Sequence, residues 1–113
     1  MVQIKALFAN ILKYLDNSKK PKRINGGSTG TLTFTDITGG LLILEGAAAS
    51  FHGLYTVYGA SGGTMYNKVI AAPTNASITV SFATSHKIII TNGASGTLFA
   101  TYITTHDDGG TWS

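Results

Sequence analysis

Residues able to perform acid–base, nucleophilic or metal chemistry are few in this chain of 113 residues, which has no cysteine, five carboxylates and three histidines. One serine, Ser61, lies in Gly59–Gly63, which lacks the Gly-x-Ser-x-Gly frame of a nucleophile elbow and predicts a β-turn instead. His106, Asp107 and Asp108 are metal-ligand types, yet such residues side by side in a glycine-ended tail are typical of a solvated terminus. We therefore predict a protein that is not an enzyme and that holds neither a cofactor nor a metal ion.

Paired carboxylates of the kind that glycoside hydrolysis requires are not indicated either. Asp36 and Glu45 lie nine residues apart on different segments, and nothing in the sequence brings them to a working separation. An enzyme alternative stays open, in which a glycan-active fold uses His52 or His106 at its site.

Aromatic side chains are the better candidates for contact with a ligand. Strand alternation puts Phe51 and Tyr55 on one face of a predicted strand and Tyr58 on the other, so at least one ring should be exposed. Exposed aromatic rings beside Ser, Thr and Asn suit the apolar faces of sugars and protein surfaces alike. The alternative is that these rings, with Tyr102, are all core or subunit contacts. We predict possible ligand contacts at Tyr55, Tyr58 and Tyr66.

Positive charge is concentrated at the N-terminus. Residues 1–23 hold six basic residues against Asp16, a net charge of +5, whereas residues 24–113 hold two against four acidic residues, a net charge of −2. Nucleic-acid phosphates, an anionic membrane surface or an acidic patch on a larger assembly could bind such a segment, which could equally be a solvated linker. No aromatic residue is interleaved for base stacking, so sequence-specific nucleic-acid recognition is not expected. The basic cluster consists of Lys19, Lys20, Lys22 and Arg23.

An amphipathic helix precedes this cluster. The apolar residues of Val2–Leu15 recur at i, i+3, i+4 and i+7, with polar residues between them that argue against a signal peptide. Asn17 and Ser18 can end the helix, and Pro21 prevents its continuation. We predict an anchoring stripe formed by Ile4, Leu7, Phe8, Ile11 and Leu15.

Beyond Gly30 the hydrophobic period changes from that of a helix to that of strands. Turn residues at intervals near ten separate seven short segments: 31–35, 41–44, 51–58, 65–72, 77–82, 87–91 and 98–104. This pattern predicts a mainly β fold, an antiparallel β-sandwich of the jelly-roll-like kind or a small barrel, preceded by one helix. The glycine-rich turn 92–96 predicts a hairpin between the last two strands.

The predicted domain organisation has three parts. Residues 1–23 form the helix and basic anchor, residues 24–30 a glycine-rich linker, and residues 31–113 the β domain. Six charged residues are too few to cover a β domain of this size, so either Ser, Thr, Asn and Gly solvate its surface or, as we expect, part of that surface is buried in an oligomer. No transmembrane segment is expected, because the longest apolar runs, such as Leu41–Leu44, are far shorter than the roughly twenty residues that a bilayer requires.

The C-terminal third contains a strand, Ser77–Phe82, a second strand ending in Ile-Thr-Asn, Lys87–Asn92, a glycine turn, and an aromatic-containing last strand, Gly96–Ile103. This succession resembles the end of small receptor-binding or tip domains of bacteriophage tail-fibre-like proteins. Gly53–Val57 is similar to the aromatic strand that those domains carry in mid-sequence. The resemblance implies a homotrimer at the periphery of a virion that binds a host surface, such as a glycan, or another virion protein.

The predicted function is therefore that of a non-enzymatic virion appendage. One alternative is a capsid decoration or head-fibre subunit that is anchored by its N-terminal helix and basic cluster. An alternative from another class is a small secreted carbohydrate-binding module.

Overall fold

The computed structural model describes residues 20–113. The predicted helix and its anchoring stripe lie outside the described residues, as does Lys19 of the basic cluster.

Residues 20–113 form nine strands and one short 3₁₀ helix. All seven predicted strands are present, and two short strands were not predicted, one at each end of the described chain. The bounds are β1 Lys22–Ile24, β2 Ser28–Thr33, β3 Thr38–Gly46, β4 Gly53–Gly59, β5 Met65–Ala71, β6 Ile78–Ser81, β7 Lys87–Asn92, β8 Leu98–Thr104 and β9 Thr111–Trp112, with the 3₁₀ helix at Ala49–Phe51.

The strands form two sheets in which all pairs are antiparallel. One sheet has five strands in the order β1-β8-β3-β4-β5, and the other has four in the order β6-β7-β2-β9. Strands distant in sequence pair in a nested way, since β1 pairs with β8 and β2 pairs with β7. The prediction of a mainly β protein with antiparallel sheets is therefore confirmed.

Side chains from both sheets share one hydrophobic core. Alternation along each strand directs every second residue inward, which is why apolar residues at a spacing of two are buried. Each fully buried large side chain contributes about 1.5–3 kcal/mol to folding. The four-stranded sheet supplies Leu32, Ile88 and Ile90, and the five-stranded sheet supplies Leu42, Leu44, Tyr55, Val57, Leu98, Ala100 and Tyr102.

The predicted hairpin at residues 92–96 is wrong. Strand β7 pairs with β2 and β6, whereas β8 pairs with β1 and β3, so the turn passes from one sheet to the other. Asn92 holds this crossing in place: its buried amide donates to the carbonyls of Ile24 at 3.0 Å and Gly96 at 2.8 Å, and its Oδ1 accepts from the N–H of Ala94 at 3.1 Å. The asparagine therefore closes a corner between the sheets.

The segment predicted as a glycine-rich linker also differs in the structure. Ile24 ends β1 and is buried in the core, Gly26 and Gly27 lie in a turn, and Ser28 begins β2. Residues 24–30 therefore belong to the β domain: they end β1 in the five-stranded sheet, turn at residues 25–27, and begin β2 in the four-stranded sheet. The physical reason is that Ile24 gains burial against the core when residues 22–24 add to the edge beside β8.

Candidate binding surface

The outward face of the five-stranded sheet, the side opposite the core, is the most distinctive surface of residues 20–113. Register places the outward residues of β8, β3, β4 and β5 in rows across the strands. One row contains Ile103, Leu41, Thr56 and Lys68, and a second row contains Thr101, Ile43 and Leu54. The face is therefore apolar over much of its area, although it lies outside the core.

Tyr58 and Tyr66 form an aromatic pair at one end of this face. The two residues are register partners on β4 and β5, and their side chains are 46% and 57% exposed. Their ring centroids lie 6.4 Å apart with the planes tilted by 34°. A shallow cleft of about 270 Å³ runs along the pair and is also lined by Thr56, Asn67 and Lys68. The pair thus offers ring surface beside the hydroxyl of Thr56 and the ammonium of Lys68, which pair with each other one row further along the same face.

His106 extends the aromatic pair across the sheet. Its ring centroid lies 6.1 Å from that of Tyr58, in an edge-on arrangement at 71°. Gly39, which pairs with Tyr58, makes room for the imidazole, because a Cβ there would lie only 2.7 Å from Cε1 of His106. The Nδ1 atom of His106 is 3.2 Å from the hydroxyl of Thr105. Three rings consequently form a row above β3, β4 and β5.

The rest of the outward face carries exposed aliphatic and aromatic side chains. Leu41, Phe99 and Ile103 are each more than a third exposed, and Ile43 and Leu54 are half-buried beside them. Glu45 and Arg23 flank Phe99 on β3 and β1, respectively. An apolar patch with charged residues at its margin is typical of a surface that binds another macromolecule.

Strand β5 is one of the two edges of this sheet, and within residues 20–113 it is exposed on both of its faces. Six consecutive residues from Tyr66 to Ala71 are exposed, although successive side chains point to opposite sides. Val69 and Ile70 are about half exposed, and a register shift interrupts the pairing with β4 at this point. An exposed apolar edge strand is prone to pair or pack with other chains unless it is covered.

The described members of the basic cluster lie at the opposite edge of the same sheet. Lys20 is exposed just before β1, Lys22 is half-buried, and Arg23 is exposed and donates from Nε to Oδ1 of Asn25 at 3.1 Å. Lys22 and Arg23 are therefore strand residues and not part of a flexible linker.

Tyr55, the third possible ligand contact, lies in the core. It is 5% exposed, and its ring packs 5.9 Å from that of Phe82. Burial raises the pKa of its hydroxyl above the usual value. Phe51 is also buried, whereas Tyr58 and Tyr66 are exposed. The expectation that at least one of these rings is exposed is confirmed, and we do not propose Tyr55 as a ligand contact.

A polar group inside the core links β3 to β8. The hydroxyl of the fully buried Tyr102 lies 2.8 Å from Oγ1 of Thr38, which donates to the backbone carbonyl of Asp108 at 2.7 Å. Burial raises the pKa of Tyr102 to about 12, more than its hydrogen bonds with Thr38 and Thr104 lower it. Tyr102 therefore stays protonated at physiological pH and has a structural role.

The carboxylate of Asp108 accepts hydrogen bonds from other parts of the β domain and is not part of a solvated tail. Its Oδ2 accepts from the backbone N–H groups of Thr35 at 2.7 Å and Asp36 at 2.9 Å, and its Oδ1 accepts from that of Gly110 at 2.8 Å. Partial burial would raise the pKa of Asp108, but the backbone hydrogen bonds from Thr35, Gly110 and Asp36 outweigh it and lower the pKa below its usual value. This carboxylate places β9 against β2.

The remaining chemical candidates lie on separate elements. Nε2 of His52 is 3.2 Å from the carbonyl oxygen of Gly46, the backbone N–H of His86 donates to the carbonyl of Gly63, and Ser61 is exposed in a turn. Residues 20–113 contain no group of three or more His, Asp or Glu side chains that could hold a metal ion. In that part of the chain no helix is long and apolar enough to cross a bilayer.

Comparison with protein-family models, curated proteins and solved structures found no match for this chain.

Two features were not predicted from the sequence: the apolar residues on the outward face and the packing of His106 beside Tyr58. One signal was available for the apolar face, because Leu41–Leu44 is a continuous apolar run, which is typical of a strand covered on both faces. No sequence signal placed His106 beside Gly39, because 67 residues separate them and only the pairing of β3 with β8 brings them together.

Proposed function

We propose that this chain is a non-enzymatic subunit of a bacteriophage virion appendage, fibre- or tip-like, which binds a host surface or a neighbouring virion protein. Its β domain is a homotrimeric, jelly-roll-like sandwich, and its N-terminal helix and basic cluster anchor it to the particle. The nested pairing of β1 with β8 and of β2 with β7 supports a jelly-roll-like arrangement, in which a long antiparallel ribbon folds over on itself.

The observation that carries this proposal is the outward face of the five-stranded sheet. Exposed Leu41, Phe99 and Ile103 lie near exposed Tyr58 and Tyr66 on one side of a small domain. A subunit that acts by surface contact needs such a face, whereas an enzyme needs converging acid, base or nucleophilic groups. The polar, charge-poor body, with a net charge of −2 over residues 24–113, also suits a domain packed among other chains.

The aromatic pair favours a second candidate function, that of a carbohydrate-binding module. Tyr58 and Tyr66 present ring surface with Thr56 and Lys68 as nearby hydrogen-bonding groups on the same face. Pyranose rings stack their apolar faces on aromatic side chains and hydrogen-bond at their edges. In a virion appendage the same site would recognise a host glycan, so the two functions differ in location more than in chemistry.

Location of the chain on particles tests the proposal. We expect mass spectrometry of purified virions that encode this chain to detect it, and immunogold labelling to place it on a fibre or tail tip. Label over the capsid shell would support a decoration or head-fibre subunit instead. A chain that is found in the culture supernatant and is absent from purified particles would refute the proposal and favour the secreted module.

A matched pair of full-length variants tests the anchor. Ile11→Asp puts a charge on the predicted apolar stripe, and Asn10→Asp puts the same charge on the neighbouring polar side of the helix. We expect Ile11→Asp to be lost from purified particles and Asn10→Asp to be retained. Equal incorporation of both variants would exclude the stripe as the anchor.

A further inference from the structure

Two exposed apolar surfaces on this domain have different shapes and lie in different places. The face patch consists of Leu41, Phe99 and Ile103 on β3 and β8, with half-buried Ile43 and Leu54 between them and β5. The flange is the end of β5 and the residues after it, where four consecutive apolar residues, 69–72, are all exposed. Runs of three or four exposed apolar residues are unfavourable for a soluble chain unless they have a function.

The outward face is large enough for a specific contact. The four long strands β3, β4, β5 and β8 have seven to nine residues each, and at about 4.8 Å per strand and roughly 3.3 Å per residue they give a face of about 480 Å² in projection. Exposed apolar patches of a few hundred Å² on small proteins usually mark interaction sites. The flange adds a second surface, so each copy can contact two neighbours.

Charge argues against direct pairing of the two sheet edges between copies. Lys22 and Arg23 belong to the β1 edge and Lys68 to the β5 edge, so edge-to-edge association would bring like charges together. The outward face carries both signs beside Phe99, because Glu45 pairs with Phe99 from β3 and Arg23 pairs with it from β1. A flange seated on the β3 side of the face patch would bring Lys68 toward the opposite charge of Glu45.

We propose that copies of this chain associate face to edge, with the β5 flange of one copy packed on the face patch of the next. This inference rests on the proposed function, in which the subunit is a homotrimer. Because the two surfaces differ, the contact is heterologous, and a threefold rotation between copies would close it into the ring of three that the proposed function requires. The aromatic pair, at the opposite end of β5 from Ile70, stays outside the contact and remains accessible to a ligand.

Full-length variants with matched controls test the two surfaces by light scattering. Leu41→Lys changes the face and Ile70→Lys changes the flange. Ile37→Lys, at a site as exposed as Leu41 (38% against 39%) but outside both surfaces, and Asn67→Lys, also on β5, are the controls. We expect about three times the 11.8 kDa chain mass for the unmodified protein and both controls, and a single chain mass for each of the two test variants.

A mixing experiment distinguishes face-to-edge from face-to-face association. Leu41→Lys keeps an intact flange and Ile70→Lys keeps an intact face, so an equimolar mixture should form one good contact and give twice the chain mass of 11.8 kDa. A face-to-face contact cannot be restored in this way. The proposal is overturned if the mixture stays monomeric, if the unmodified protein is monomeric, or if trimers persist in both test variants.

Thiol labelling keeps the test informative if a lysine variant fails to fold. The chain has no cysteine, so single substitutions report on one site each. We expect Ile103→Cys in the trimer to react with a maleimide at least tenfold more slowly than Ile37→Cys. Equal labelling rates for the two folded single-cysteine variants, neither of which carries a lysine substitution, would contradict burial of the face. Each measurement is independent of particle binding: a trimer that persists in both test variants contradicts this inference alone, whereas a monomeric unmodified protein also contradicts the homotrimer of the proposed function.

Discussion

Tyr58 and Tyr66 lie directly opposite each other on β4 and β5, and both rings are exposed although each belongs to a regular strand. An aromatic cross-strand pair contributes about 0.2–1 kcal/mol to sheet stability, which does not by itself account for two large exposed rings. Their position beside Thr56 and Lys68, in a shallow cleft, is better suited to stacking with a ligand.

Alanine replacement of both tyrosines should therefore reduce binding without unfolding the domain. We expect Tyr58→Ala with Tyr66→Ala to lower binding to a glycan array or to host cells at least tenfold and to change the melting temperature by only a few degrees. Tyr55→Ala is the control for packing: it removes a core ring and should cost about 3–5 kcal/mol of stability. Retained binding with a large drop in melting temperature in the double variant would assign both exposed rings to packing.

Asn92→Ala should be strongly destabilising because it removes three hydrogen bonds at the corner between the sheets. The carbonyls of Ile24 and Gly96 and the N–H of Ala94 would lose their partners. We expect a loss of about 3 kcal/mol in the free energy of unfolding, measured in urea. Asn67→Ala, at an exposed position on β5, should change it by less than about 0.5 kcal/mol. Similar values for the two variants would refute the role assigned to Asn92.

The hydrogen bonds to Asp108 should make stability depend on pH in the acidic range. Its pKa is lowered in the folded state, so its contribution is fully present above the unfolded value of about 3.9 and is lost as pH falls through the folded value. We expect Asp108→Asn to lose about 1.5–3 kcal/mol at pH 7 and to differ less from the unmodified protein near pH 2. Urea midpoints between pH 7 and pH 2 measure this. Parallel curves over that range would show that the carboxylate charge contributes nothing.

Deletion of residues 1–19 should leave the β domain folded, because β1 to β9 and their core all lie within residues 20–113. We expect a cooperative thermal transition close to that of the full chain, together with loss of incorporation into particles. Deletion of residues 1–23 would be harder to interpret, since it also removes Lys22 and Arg23 of β1, which pair with β8. Loss of cooperative unfolding in the shorter deletion would mean that the N-terminal segment belongs to the core.

Local pattern in the sequence was sufficient to locate seven strands and to predict a mainly β fold. Alternation of apolar and polar residues is a local property that follows from the geometry of a strand, so segments such as Leu98–Thr104 could be recognised without knowledge of their neighbours. The same rule separated Tyr58 from Tyr55 on opposite faces of β4. The exposure of Tyr66 was not determined in this way, because an edge strand exposes both faces.

Only the tertiary structure decided which strands pair. The turn after Asn92 has the composition of a hairpin, but the neighbours of β7 and β8 are strands that lie far away in sequence. The contacts of Asp108 and His106 also depend on strands that are distant in sequence. Their partners, Thr35 and Gly39, lie about seventy residues earlier in the chain. The apolar face arises in the same way: Leu41 and Ile103 are separated in sequence and become one surface because β3 pairs with β8. Hydrogen bonds between strands are chemically alike for every pair, so the choice among partners is made by the burial of a shared core, which no single segment encodes.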